Sequence, residues 1–336
     1  MQAYIRSVGA YVPEKVVTND DLAKTIDTSD EWIYSHTGIH ERRIAAEDQA
    51  ASDLGHEAVK AALANIKIQD PEGDEISGSD VDLVLLATST PDYPGLPSTA
   101  CVVQDLIGAR EAGAMDLIAA CTGFIYGLET ARNFVVAGGA KNVLVIGAEV
   151  YSKIINWKDR TTCVLFGDGA GAVLVSQAPE GSPSAIHHSI LGSQGDGVKH
   201  LLRPAGGSRT PYKPGITPEE DLFLQMNGRQ VYVFAVGAIT DTVNRLLELN
   251  GLSMEEIDHV VPHQANRRII EAACKRNGWD EKKFFMNIDR FANTSAASIP
   301  IALDEMQRKG ILKRGDKILT IGFGSGLTFG GNYFVW

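Results

Sequence analysis

Short, largely apolar runs bounded by polar or small residues recur along the chain. They cover Val81 to Ala87, Asn142 to Gly147, Cys163 to Phe166, Ala172 to Val175, His259 to Pro262 and Lys317 to Ile321. Runs this short and this apolar predict strands buried on both faces, as in a sheet covered by helices. Met1 to Val8 reads as one more short strand. Between the runs the spacing shifts to a helical period. Ser52 to Leu63 begins on a residue type suited to an N-cap, Gly123 to Ala137 stops at Gly138-Gly139, and Ser295 to Lys309 stops at Gly310. Strands alternating with helices predict an α/β fold.

Two stretches follow the same order. Cys121 leads through a helix, Gly138-Gly139 and Lys141 into a strand ending at Gly147; Asn293 leads through a helix, Gly310 and Lys317 into a strand ending at Gly322. Asp80-Val81-Asp82-Leu83-Val84 is likewise echoed by Glu256-Ile257-Asp258-His259-Val260. The pattern predicts two similar halves, residues 1–179 and 180–336; the competing explanation is that α/β chains reuse one vocabulary. Gly192 to Thr217 is rich in Gly and Pro and predicts a long surface loop, a common place for function.

Composition narrows the class. At roughly 150 residues per domain, 336 residues accommodate two such halves. With 44% hydrophobic and 22% charged residues, the chain is neither disordered, collagenous nor a coiled coil. The formal charge of -11 disfavours nucleic acid and anionic membranes, so an anionic partner needs a local basic patch. Four Cys (Cys101, Cys121, Cys163, Cys274) make no C-x-x-C pair, which argues for reduced thiols in the cytoplasm over a disulfide framework or zinc ribbon. The N-terminus lacks the pattern of a signal peptide, and no apolar run is long enough to span a bilayer. A soluble cytoplasmic protein is expected.

Cys121, in Ala119-Ala120-Cys121-Thr122-Gly123-Phe124, immediately precedes a helix, where unpaired N–H groups and the dipole favour a thiolate. The plainer reading is a small buried hydrophobe. His259 and His263 are four apart, but the intervening Val260, Val261 and Pro262 read as strand, which separates them by roughly 13 Å. No metal site is expected. His263 instead ends a strand just before a helix, where α/β sheets collect ligands, and a purely structural His is as good a description. Asn293 in Asn293-Thr294-Ser295 has the ordinary alternative of an N-cap. Together, Cys, His and Asn at strand-to-helix junctions supply a nucleophile, an acid–base group and a hydrogen-bond donor. Gly167-Asp168-Gly169-Ala170-Gly171-Ala172 has dinucleotide-like spacing, yet a strand follows it where that motif needs a helix, so NAD binding is rejected. Gly322-Phe323-Gly324-Ser325-Gly326 offers backbone N–H groups to an oxyanion. Arg267, Arg268, Lys275 and Arg276 form a basic cluster beyond His263, either a dock for an acidic partner or a solvated helix face.

These residues, with His263-Gln264-Ala265-Asn266, Asn293-Thr294-Ser295-Ala296-Ala297-Ser298, Phe166-Gly167-Asp168-Gly169-Ala170-Gly171 and Thr28-Ser29-Asp30-Glu31-Trp32-Ile33, resemble the β-ketoacyl-acyl-carrier-protein synthase III family over essentially the whole chain. The resemblance implies a thiolase-like fold of five αβαβα layers, built from two similar halves, and a homodimer. It implies a decarboxylating Claisen condensation of an acyl-CoA primer with malonyl-acyl-carrier protein, initiating fatty acid synthesis, with no cofactor beyond the acyl-CoA substrate. Cys121 would carry the acyl group, and His263 and Asn293 would hydrogen-bond the malonyl thioester. Ser325 and the Cys121 N–H would form the oxyanion site, with Phe323 as its dry wall. Trp32, Arg160, Asn266 and Gly228 would contact CoA or pantetheine, Leu96 would close the primer pocket, and Arg267, Arg268, Lys275 and Arg276 would dock the carrier.

Several positions depart from the family's pattern. His36 stands in place of Arg, Val233 in place of a docking Lys, Ala292 in place of the Gly before Asn293, Ser325 in place of a Gly, and Leu96 where Phe is common. Leu96 predicts acceptance of primers longer than acetyl. Competing readings are a specialised condensing enzyme of secondary metabolism or of long-chain ketones, an acyltransferase without condensation, a non-catalytic acyl-CoA or carrier-binding subunit, and a cysteine hydrolase. The intact Cys, His and Asn set argues against the subunit, and the hydrolase lacks its local signatures.

Overall fold

A computed structural model describes all 336 residues. Nine strands and seven helices carry the architecture. The strands are β1 (Ala3–Tyr11), β2 (Leu83–Ala87), β3 (Gly113–Leu117), β4 (Asn142–Glu149), β5 (Gly169–Gln177), β6 (Ala185–Ser193), β7 (His259–Pro262), β8 (Lys317–Gly324) and β9 (Thr328–Val335). The helices are α1 (Asp30–Thr37), α2 (Ala51–Ala64), α3 (Thr99–Leu106), α4 (Gly123–Val136), α5 (Gly228–Asn250), α6 (Arg267–Asn277) and α7 (Ser298–Arg308).

The first sheet has the order β1-β5-β4-β2-β3, with β4, β2 and β3 mutually parallel and β5 antiparallel to both its neighbours. The second has the order β7-β8-β9-β6, with β7 and β8 parallel. Apolar packing defines five layers. Leu54 and Val59 of α2 and Val103 of α3 cover one face of the first sheet through Val84, Leu144 and Leu174. Leu128 of α4 and Leu303 of α7 fill the space between the sheets, touching Val145 and Val173 on one side and Ile318 and Phe334 on the other. Val243 of α5 and Ile270 of α6 cover the second sheet through Val260 and Leu319. Strands buried on both faces explain why the runs read as continuously apolar.

One expected strand is absent. Cys163 to Phe166 is a run of turns: the N–H groups of Thr162 and Cys163 bond back to the Asp159 carbonyl at 3.1 and 3.0 Å, and that of Leu165 to Thr162 at 3.0 Å. Its apolarity reflects burial beneath Ile33, Tyr151 and Ile288, not pairing in a sheet. Only Phe166 makes a bridge, to Asn293. The Gly167-Asp168-Gly169 run feeds β5, as expected. Ser52 lies inside α2 instead of capping it, since Ala50 occupies the cap. Gly192 and Ser193 end β6, so the expected loop begins later, and it holds a short 3-10 helix (Gly195–His200) and a two-residue strand at Leu201–Leu202.

Candidate active site

The C-terminal ends of parallel strands from both sheets point to one cavity of about 470 Å³. β3 leads into the turn Ala120–Thr122, which carries Cys121 directly before α4. Ala120 adopts φ 47°, a tight turn that a β-branched residue would resist. β7 ends at Pro262, so His263 stands at the strand exit. Asn293 is clamped by its backbone: its N–H bonds to Leu165 at 2.9 Å, and its carbonyl accepts from Gly167 at 3.0 Å. The three side chains share the cavity with Phe323, Ser325, Asn266 and Gly228.

Each is nearly solvent-free. Burial pushes the Cys121 thiol up to about 12. The thiolate expected from a helix N-terminus is therefore not the resting form, because desolvation outweighs the dipole at this buried, largely apolar position. His263 is 1% exposed, and desolvation pushes its pKa down to about 3, leaving a neutral ring. Its Nδ1 lies 2.7 Å from Ser298 Oγ, which also accepts the Gln264 N–H at 3.4 Å. The Phe323 ring meets the imidazole edge-on at 5.6 Å. Asn293 Oδ1 accepts the Ser295 N–H at 2.8 Å, so the carbonyl end is used within the loop and the NH2 remains for the cavity.

Gly324 explains how the last loop comes so close. A Cβ there would lie 2.8 Å from the Cys121 nitrogen, so only Gly permits the approach. Ser325 follows it and donates its hydroxyl to the Leu201 carbonyl, tying this loop to the two-residue strand. Ala292 has φ 55° and ψ -155°, a region that favours Gly, so the departure noted in the sequence sits in a strained backbone.

At the mouth, the Arg160 guanidinium lies 4.7 Å over the Trp32 ring. Trp32 also stacks on His36, with centroids 4.5 Å apart, and Asn266 donates to the His36 carbonyl at 3.0 Å. Trp32 and Arg160 thus stand outside the Asn266 rim and do not line the cavity. Arg267 is engaged by Glu271 at 2.7 Å, whereas Arg268, Lys275 and Arg276 are exposed without ion-pair partners. Val233 is exposed one residue beyond Tyr232, which lines the cavity. A second cleft of about 580 Å³ beside α5 has no Cys or Ser in its lining.

Leu96 departs from expectation. It is 88% exposed and does not line the cavity of its own chain. It belongs to an extended loop after β2 that leads away to α3. Tyr151 lines the same cavity as Cys121, stacked on Phe166 at 4.7 Å with its hydroxyl 3.3 Å from Ser295 Oγ. Sequence reasoning missed Tyr151 and Glu149, and it gave no role to Ser295 and Ser298, though both stand in the motif after Asn293. For the first two, a signal existed: they follow an apolar strand at the end where α/β sheets collect function.

The chain is similar to known proteins along its whole length. Residues 115–195 match the 3-oxoacyl-[acyl-carrier-protein (ACP)] synthase III family, and residues 247–336 match its C-terminal counterpart. The chain is 51% identical over 334 residues to a β-ketoacyl-[acyl-carrier-protein] synthase III of Caldanaerobacter subterraneus subsp. tengcongensis, covering 99% of this chain and 98% of that one. It is similar to the crystal structure of the Thermus thermophilus β-ketoacyl-[acyl carrier protein] synthase III, with 44% identity, a TM-score of 0.89 and 99% of each chain covered. The priming β-ketosynthase of the R1128 polyketide pathway is also similar, at 32% identity and TM-score 0.89, with 99% of this chain and 96% of that one covered. A buried Cys, His and Asn meeting where two covered sheets converge, in a chain matched end to end at this identity, leads to one assignment: it has the thiolase-like fold and belongs to the β-ketoacyl-[acyl-carrier-protein] synthase III family.

Proposed function

We propose that the protein condenses an acyl-CoA primer with malonyl-acyl-carrier protein in the cytoplasm, releasing CO2 and initiating fatty acid synthesis. The observation that carries this reading is the convergence of Cys121, His263 and Asn293 on one nearly dry cavity. Cys121 attacks the primer thioester, and the N–H groups of Cys121 and Ser325 hold the oxyanion. The malonyl thioester oxygen then gains charge as CO2 leaves, and two donors aimed at it lower the barrier. The His263 tautomer suits this task. With the Ser298 hydroxyl, which accepts the Gln264 N–H, donating to Nδ1, the ring would carry its proton on Nε2 as the donor for the substrate. Phe323 keeps water from the departing carboxylate. The test is intact-mass detection of acyl-Cys121 with a panel of acyl-CoAs, followed by CO2 release on adding malonyl-carrier protein. Acylation without CO2 release would make the protein an acyltransferase instead.

Carrier docking falls to the unpaired cations of α6. An acidic carrier meets Arg268 and Lys275, seven residues apart on one helical face, while Glu271 already neutralises Arg267. Changing Arg268 and Lys275 to Glu is expected to weaken carrier binding about tenfold or more at low salt, with acylation by acyl-CoA changed less. Unaltered carrier affinity would return these residues to an ordinary solvated face.

A second copy of the chain suits the edge of the first sheet. β3 is an outer strand with no partner on one side, and Met115, Ile118 and Leu96 are exposed on or near it. An unpaired edge with apolar side chains is a template for pairing. Sedimentation equilibrium is expected to show a homodimer, shifted toward monomer in Met115→Lys/Ile118→Lys. A monomeric parent protein at micromolar concentration would remove the assignment.

A further inference from the structure

The chain leaves the second sheet after β6 and returns at α5, and part of what lies between covers the nucleophile. Leu201–Leu202 and Gln225–Met226 form a two-stranded antiparallel ribbon. Leu201, Leu202, Arg203, Leu224 and Met226 line the same cavity as Cys121. At the base of the excursion, Gln194 and Leu327 exchange both backbone hydrogen bonds, at 2.8 and 3.0 Å. Beyond that base, two hydrogen bonds tie the cover to the body of the protein. The Leu224 N–H reaches the Ile154 carbonyl at 2.9 Å, and the Leu201 carbonyl accepts the Ser325 hydroxyl.

The register of the ribbon explains why a side chain serves as the second tie. The Asn227 N–H donates to the His200 carbonyl at 2.8 Å, which makes those two residues a hydrogen-bonded pair. Leu201 and Met226 are the next pair along. Antiparallel pairs alternate, so the Leu201 carbonyl points off the ribbon and finds no partner within it. Leu201 is buried, and a buried carbonyl left without a donor is costly. Ser325 supplies that donor from the loop beside the nucleophile. Its own carbonyl accepts the Thr328 hydroxyl at 3.1 Å, and Thr328 Oγ1 accepts the hydroxyl of Thr122, the neighbour of Cys121, at 2.9 Å. A glycine in its place, as in the family's pattern, has no hydroxyl to give.

We propose that Ser325 is a positioning residue whose hydroxyl latches the ribbon over acyl-Cys121 and keeps water from the thioester until malonyl-carrier protein arrives. This rests on the condensation described above, in which acyl-Cys121 waits between two substrates. The competing reaction is hydrolysis. Water adds its oxygen to the acyl carbon, the carbon–sulfur bond breaks, the sulfur takes one of the water protons and the primer leaves as a carboxylic acid. Leu201, Leu202, Leu224 and Met226 form an apolar cover against that water. The sign of the effect separates a latch from a role confined to the oxyanion site. Acylation and hydrolysis both pass through a tetrahedral oxyanion, so losing a residue that only shapes that site slows both. Losing a latch speeds hydrolysis.

The experiment follows the decay of acyl-Cys121 by intact mass after excess acyl-CoA is removed, with no carrier present. Ser325 has no left-handed backbone, so Ala fits in its place. In Ser325→Ala the half-life of acyl-Cys121 is expected to shorten about tenfold, the equivalent of one hydrogen bond to a buried carbonyl. Deuterium exchange at the Leu224 and Asn227 amides, measured without any substrate, is expected to quicken by about the same factor. Ser325→Thr keeps a hydroxyl and is expected to restore the parent half-life. An unchanged or longer half-life in Ser325→Ala overturns the proposal, as does exchange at those amides equal to the parent's, or a Thr variant as short-lived as the Ala one. Failure of the condensation reading would appear instead as no acyl-Cys121 with any acyl-CoA, and the exchange measurement would still decide whether the latch holds the ribbon.

Discussion

Cys121→Ser is expected to form no detectable acyl-enzyme with any acyl-CoA while keeping its fold. The replacement is nearly isosteric, so the close contact with Gly324 survives and the Tm should stay within a few degrees of the parent. Reactivity is another matter. A thiol whose pKa is already pushed up to about 12 can still yield a strongly nucleophilic thiolate inside the site. A serine hydroxyl there needs an adjacent strong base. His263 cannot supply one, because its Nδ1 is engaged by Ser298 and its ring is poorly basic. A loss of about 10³-fold or more in acylation is expected, read by intact mass after a fixed incubation. Undiminished acylation of the variant would remove Cys121 from the mechanism.

The second large effect separates the two half-reactions. His263→Ala is expected to lower CO2 release by about 10²–10³, the usual cost of losing one oxyanion donor, with acyl-Cys121 formation reduced much less. Asn293 needs a more careful substitution, since Ala would also remove the Oδ1 that holds the Ser295 N–H. Asn293→Asp keeps that acceptor and loses the NH2, so it tests the donor while sparing the loop. Equal losses in acylation and decarboxylation would show that these residues shape the site as a whole and do not serve the malonyl step in particular.

Much of this molecule was present in its linear pattern. Runs such as Asn142 to Gly147 and Lys317 to Ile321 are apolar because their strands are covered on both faces, and burial leaves a local signature. Cys121 and His263 do follow strands, as their neighbours suggest, but Asn293 comes after the short helix Ile288–Phe291 and is placed by a single bridge to Phe166, which no local pattern announces. Other properties depend on partners distant in the chain, and only the tertiary structure decided them. Cys163 to Phe166 has the apolarity of a strand, but burial does not specify hydrogen-bond partners, and its N–H groups found Asp159 and Thr162 instead. At Cys121 the local helix end favours thiolate, whereas the desolvation that keeps the thiol protonated comes from segments remote in the chain that bury it. Leu96 could be placed by resemblance, yet its exposure follows from the path of the loop after β2. Tyr151 and Ser295, 144 positions apart in the sequence, show no relation until the segment after the first sheet's β4 and the loop after Asn293 meet with their hydroxyls 3.3 Å apart. Short-range chemistry and burial are written residue by residue; pairing, desolvation and long-range hydrogen bonds exist only once remote segments share the same dry space.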